Sequence, residues 1–131
     1  MVLTADKSKE MATLLAMMID RINPEAEVKS FQVGNDVITA FKEIEKDASE
    51  IALVILGYRL LGDMTGAEVA QKLRQKGYKG LIIALSGGDR SDWAEAKMLG
   101  DINFCFFHKC NQEDMKQLGV KLAIYTAPTS F

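Results

Sequence analysis

The feature that most constrains this chain is an alternation of short apolar segments with longer segments of helical periodicity. Residues 51–56 (IALVIL) are apolar at every position, which is typical of a central strand in a parallel sheet covered by helices on both faces. Three other apolar segments are predicted strands, at residues 2–5, 81–85 and 104–108, and residues 27–32 can form one more. Five strands separated by helices predict an α/β fold with right-handed crossovers.

The segments between the strands place apolar side chains three and four residues apart, as in helices with one buried face. Pro24 ends the first helix, and Thr65 with Glu68 has the spacing of a capping box at the start of the third. Gly119 weakens the prediction of the last helix. The five helices are predicted near residues 11–22, 37–44, 65–73, 91–99 and 111–125.

Composition limits the classes of function. The chain has 131 residues, which predicts one domain over residues 1–126 and a flexible tail at 127–131. A formal net charge of −2 argues against nucleic acid as a partner. No apolar run approaches the roughly 20 residues that cross a bilayer, so no membrane insertion is expected. Two cysteines and no export signal favour a reducing cytoplasm.

The candidate site follows from the predicted sheet, because ligands of such folds bind at the carboxyl ends of the strands. Asp6 and Lys7 follow the first strand, and Gly57 follows the third. Ser86 ends the fourth strand, and Lys109 follows the fifth. We therefore expect these five residues to meet at one edge of the sheet.

At these positions the sequence resembles the receiver family of two-component response regulators. Residues 57–66 (GYRLLGDMTG) match a receiver string except that Gly57 replaces the phosphate-accepting aspartate and Leu61 replaces a proline. Ser86 matches the hydroxyl position, Lys109 the lysine, and Phe106 the aromatic switch. The resemblance implies a three-layer, flavodoxin-like (βα)5 fold with strand order 2-1-3-4-5.

Receivers carry an acidic pair after the first strand, where this chain has Asp6 and Lys7. An alternative register would place Ala5 and Asp6 there, and either register lacks one carboxylate. Phosphorylation of a receiver needs a carboxylate nucleophile and Mg²⁺ bound by carboxylate oxygens. Gly57 provides neither, so we predict a degenerate phosphorylation pocket with no catalytic residue and no cofactor, in which Mg²⁺ binding is lost or very weak.

The sequence is compatible with two arrangements of this pocket. In the first, Asp6 forms an ion pair with Lys109, with or without Lys7, in place of the metal, because a buried carboxylate needs a partner. In the second, Lys7 points into solvent and the pocket is merely eroded.

Trp93 and Phe106 are candidates for an exposed recognition face. We expect Trp93 to be partly exposed, whereas Phe106 fits the face and the core equally well. Cys105, His108 and Cys110 are not a metal site, because Cys105 and His108 point to opposite faces of a strand.

The resulting hypothesis is a pseudo-receiver in a bacterial two-component or phosphorelay pathway. It would be a protein–protein interaction module rather than an enzyme, with a histidine kinase, a regulator or an output domain as partner. One alternative is a phospho-switch that uses another acceptor such as Asp63. The other is a flavodoxin-like protein that binds a small ligand at Ser86, Gly87 and Gly88.

Overall fold

The computed structural model describes residues 1–44 and 51–127. Of the predicted tail, residues 128–131 lie outside the described residues. The strands are β1 (Val2–Ala5), β2 (Val28–Phe31), β3 (Leu53–Leu56), β4 (Leu81–Ser86) and β5 (Phe104–His108). The helices are α1 (Lys9–Ile22), α2 (Gly34–Ile44), α3 (Gly66–Gln75), a 3₁₀ helix (Arg90–Ala96) and α4 (Gln112–Thr126).

The sheet has five parallel strands in the order β2-β1-β3-β4-β5, so the predicted fold class and strand order are confirmed. Ala5 is in register with Leu56, and Leu56 with Ala84. Ser86 is in register with His108. Because the strands end in register, the residues that follow them meet at one edge of the sheet.

Two hydrophobic clusters cover the two faces of the sheet. Strand β3 supplies both, since Val54 and Leu56 belong to one cluster and Leu53 and Ile55 to the other. The first cluster packs under α2, α3 and the 3₁₀ helix, and the second under α1 and α4. This burial on both faces is the reason that residues 51–56 are apolar throughout.

Polar side chains fix the helix starts close to the sequence predictions. Thr65 and Glu68 form the predicted capping box, with the Thr65 hydroxyl accepting from the Glu68 N–H at 3.2 Å. At the start of α4, Asn111 Oδ1 accepts from the Asp114 N–H at 2.9 Å.

Within the described residues no helix is long and apolar enough to cross a membrane.

The prediction of an α-helix over residues 91–99 is wrong. The structure has a shorter 3₁₀ helix in this region. Its two buried side chains, Trp93 and Ala96, are three residues apart, which matches the three-residue turn of a 3₁₀ helix. The segment stops at Lys97, which has a φ of 57° in the left-handed region and donates its N–H to Ala94 O. A cap of this kind ends the helix before Leu99.

Candidate functional site

All five residues predicted for the degenerate pocket line one cavity of about 360 Å³ at the carboxyl edge of the sheet. The cavity lies between the ends of β1, β3, β4 and β5 and is open to solvent on one side. Its lining consists of Asp6, Lys7, Gly57, Tyr58, Arg59, Ser86, Gly87, Gly88, Asp92 and Lys109.

Asp6 is the buried carboxylate of the site, with 5% of its surface exposed. Its backbone N–H continues the sheet by donating to Phe31 O at 3.1 Å, which fixes where the side chain starts. Its Oδ1 accepts from the Ser8 N–H at 2.9 Å. Its Oδ2 lies 3.8 Å from Lys109 Nζ. One oxygen therefore holds the loop to α1, and the other faces the only lysine at the end of β5.

Gly57 allows the Asp6 carboxylate to lie against the end of β3. The Gly57 N–H donates to Ala5 O at 2.7 Å, which keeps the two strand ends together. A Cβ at position 57 would lie 2.8 Å from Asp6 Oδ2, closer than real Cβ contacts. Asp6 thus fills the space that a side chain at position 57 would need.

The opposite wall is a turn held by side-chain hydrogen bonds. Ser86 is buried, and its Oγ accepts from the Gly88 N–H at 3.0 Å. Asp92 Oδ2 accepts from the Asp89 N–H at 3.1 Å. The Lys109 N–H donates to Ser86 O at 3.0 Å, which places the lysine side chain over the cavity.

Of the two arrangements that the sequence leaves open, the structure contains a part of each. The ion pair between Asp6 and Lys109 is present. Lys7 lines the cavity but is exposed, and no carboxylate of the described residues lies within 4.0 Å of its ammonium group. Its backbone carbonyl accepts from Gln32 Nε2 at 2.9 Å. Lys7 is therefore not a member of the pair.

The donor set does not fit Mg²⁺, the metal that phosphorylated receivers use. Mg²⁺ prefers a near-octahedral set of oxygens with one or two carboxylates. Here Asp6 Oδ1 accepts from the Ser8 N–H, Asp6 Oδ2 faces the Lys109 ammonium group at 3.8 Å, and Gly57 offers no side-chain oxygen. Among residues 1–44 and 51–127 no three Asp, Glu, His or Cys side chains are grouped so as to hold a metal ion.

Asp63, Trp93 and Phe106 do not line the cavity. Asp63 is exposed on the loop after β3. Trp93 is fully buried, so the prediction that it is partly exposed is wrong. Its ring packs edge-on against Tyr58, at 5.8 Å between centroids, and against Phe104, because the 3₁₀ helix turns it inward. Phe106 is half-buried and packs on the edge of the same cluster.

Sequence reasoning missed Arg59 and Asp92 as lining residues. Arg59 belongs to the string at 57–66, and its position two residues after Gly57 was the available signal. Asp92 lies in a polar run before Trp93, and its place at the cavity depends on the 3₁₀ turn.

Cys105 packs with the cluster under α1 and α4, whereas Phe106 packs with the cluster on the other face of the sheet, so the predicted alternation of side chains along β5 is present.

Comparison with known proteins gives structural matches alone. No family model matches this chain, and no curated protein matches it. It is similar in structure to a two-component response regulator from Cytophaga hutchinsonii, with a TM-score of 0.70, 20% identity, and coverage of 92% of this chain and 94% of that one.

Two further similar structures have the same architecture. The NtrX receiver domain from Brucella abortus has a TM-score of 0.71 and 17% identity, with 97% of this chain and 100% of that chain covered. A CheX–CheY complex with BeF₃ and Mg²⁺ from Borrelia burgdorferi has a TM-score of 0.70 and 15% identity, with 95% and 87% covered. The chain therefore has the fold of the response-regulator receiver domains.

Proposed function

We propose that this chain is a pseudo-receiver, a protein-interaction module of a two-component or phosphorelay pathway that acts without phosphorylation of an aspartate. The observation that supports the proposal is the arrangement of Gly57 and Asp6 at the end of β3. Gly57 has no nucleophile, and Asp6 Oδ2 fills the space beside it. Transfer from a phosphohistidine needs a carboxylate oxygen at that position.

The charges of the site support the same conclusion. A divalent ion would meet the Lys109 ammonium group beside Asp6 and the Lys7 side chain at the rim. Two unit charges 4 Å apart interact by about 4 kcal/mol near a protein surface, so each lysine opposes the metal. We propose that Mg²⁺ binding is lost or very weak and that the module has no enzymatic activity.

We propose a histidine kinase, another regulator or an output domain as the partner. The contact face on this proposal includes β5 and α4, where Phe106 is half-buried. On α4, Val120 and Ile124 expose 50% and 66% of their surface. These two residues are four apart and are therefore neighbours on the helix surface, which gives α4 an exposed apolar strip for the proposed contact. Trp93 contributes by supporting β5 from inside through its contact with Phe104.

The test is incubation of the protein with acetyl phosphate and Mg²⁺, followed by intact mass spectrometry. We expect no change in mass, while a receiver with an intact acceptor aspartate gains a phosphoryl group under the same conditions. A mass gain of one phosphoryl group would contradict the proposal. The variant Asp63→Asn would then show whether Asp63 is the acceptor.

A further inference from the structure

The sheet has two edge strands, β2 and β5, and the outer backbone groups of these strands differ in their partners. On β5 the His108 N–H donates to Asp114 Oδ2 at 2.7 Å, and the His108 carbonyl accepts from the Asn111 N–H at 3.0 Å. The start of α4 therefore covers the carboxyl end of the β5 edge.

The outer edge of β2 has no such cover. The Val2 N–H of β1 donates to Glu27 O at 2.8 Å, so Glu27 and every second residue after it pair with β1. The backbone N–H and C=O groups of the residues between them, Val28 and Ser30, point away from the sheet. Neither residue has a backbone hydrogen-bond partner among the described residues. Unpaired groups of this kind are a template for pairing with a strand of another chain.

The charges on this edge are complementary to a second copy of the same edge. Glu27 and Lys29 are exposed and two residues apart, so their side chains lie on one face of the sheet. In an antiparallel pair centred on Val28, Glu27 of each copy lies directly opposite Lys29 of the other. A register centred on Lys29 places the two lysines opposite each other instead. A lysine on an edge strand normally opposes pairing, and here Glu27 offsets it in one register.

The face of β2 that carries α1 has room for an added strand. A groove of about 430 Å³ lies between α1 and β2, and its α1 wall includes Ala12, Thr13 and Ala16. On the strand side, Ser30 and Phe31 line it. The short side chains of the α1 wall leave space beside the strand for the side chains of a second one.

We infer that this chain self-associates through β2 as a two-fold dimer, in which the two β2 edges pair antiparallel around Val28. Val28 of each copy exchanges two backbone hydrogen bonds with Val28 of the other, and the two sheets become one continuous sheet. Two symmetry-related pairs between Glu27 and Lys29 fix the register.

The dimer adds a property to the proposed contact face. Because β2 and β5 are opposite edges of the sheet, pairing at β2 leaves β5 and α4 of both copies free. On the proposed function, the dimer is therefore a bivalent module that holds two partners together. The dimer itself does not depend on that function.

Sedimentation velocity of the full chain, from about 10 μM to about 1 mM, tests the inference. We expect a monomer–dimer equilibrium with a dissociation constant on the order of 100 μM, because the paired segment is short. In ¹⁵N–¹H NMR spectra over the same concentrations, the amides of Val28 and Ser30 should shift. A chain that stays monomeric at about 1 mM would contradict the inference.

A charge exchange makes the test specific to this edge. Lys29→Glu should weaken the dimer about tenfold, because it places carboxylates opposite each other twice. Glu27→Lys should weaken it by a similar factor. The double variant Glu27→Lys with Lys29→Glu should return to within about twofold of the unchanged chain. Lys72→Glu makes the same change of charge on the exposed side of α3 and should have no effect.

A double variant as weak as the single variants, or equal weakening by Lys72→Glu, would contradict pairing at β2. Ile124→Asp tests the exposed apolar strip on α4 as the competing surface. An unchanged dimer supports the inference, whereas loss of the dimer in this variant alone contradicts it. The outcome is independent of the acetyl phosphate test, since a gained phosphoryl group would contradict the pseudo-receiver proposal and leave the dimer in place.

Discussion

The two ends of the sheet are built differently. At the amino ends of β4 and β5, Arg74 of α3 forms a tight clamp. Its Nε donates to Asp101 at 2.9 Å, and its Nη atoms donate to the carbonyls of Tyr78, Gly80 and Asn103 at 2.8–3.0 Å. At the carboxyl ends, the only ion pair among the described residues joins Lys109 to Asp6 at 3.8 Å.

The two ends differ in how completely their polar groups are paired. The guanidinium group of Arg74 has an acceptor on every nitrogen, and it joins α3 to the segments that lead into β4 and β5. The lysines at the other end have unused donors and face an open cavity. A site with unused donors can bind a ligand, whereas a saturated clamp can only hold the chain.

The largest effect is expected at the clamp. Arg74→Ala should lower the free energy of unfolding by about 3 kcal/mol, because it removes the donor from the carbonyls of Tyr78 and Gly80 and from Asp101 Oδ2, and one of two donors from the Asn103 carbonyl. Urea denaturation measures this change. Arg59→Ala is the matched control at the other end, and it should stay within about 0.5 kcal/mol of the unchanged protein. Equal effects of the two variants would remove the contrast between the ends.

A smaller effect is expected at the end of β3. Gly57→Ala should cost about 2 kcal/mol, because its Cβ would meet Asp6 Oδ2 at 2.8 Å and push the carboxylate aside. The double variant Gly57→Ala with Asp6→Ala should cost less than the sum of the single variants, since the clash is gone. Additive effects in the same denaturation assay would show that Asp6 does not occupy this space.

The smallest effect concerns alkaline pH and Tyr78, next to the clamp. Burial raises the pKa of the Tyr78 hydroxyl, with Arg74 opposing the shift. The neutral hydroxyl, which donates to Leu81 O, therefore contributes stability below the ordinary pKa of about 10, and this is lost as pH rises above it.

We expect the free energy of unfolding to fall by about 1.4 kcal/mol per pH unit above pH 10 from this group. In Tyr78→Phe this part of the pH dependence should be absent, although stability at neutral pH is lower by the lost hydrogen bond. Urea denaturation at pH 9 to 11 measures both. An identical alkaline slope in the variant would show that other groups cause it.

Much of the fold could be predicted from local patterns. The apolar segment at 51–56 indicated a strand buried on both faces, and Thr65 with Glu68 marked a helix start. The convergence of Asp6, Gly57 and Lys109 followed from topology, because parallel strands bring their carboxyl ends together. Local spacing was therefore sufficient for the strand and the helix start, and the order of the elements along the chain was sufficient for the shared edge.

The remainder depends on contacts between distant segments. The burial of Trp93 needs the rings of Tyr58 and Phe104, which belong to two other parts of the chain. The 3₁₀ helix ends at Lys97, which adopts a positive φ, and a lysine gives no sequence signal for that conformation. The Asp6 carboxylate lies against Gly57 only because β1 and β3 are neighbours in register.

The position of the Asp6 carboxylate also has a consequence for introducing a carboxylate at position 57. An aspartate introduced at position 57 would enter space held by Asp6 Oδ2, so two anions would be forced together without a cation of sufficient charge between them. We therefore expect the single substitution Gly57→Asp to be poorly accommodated. A carboxylate at position 57 would be accommodated only together with a change at residue 6, so the two positions are coupled.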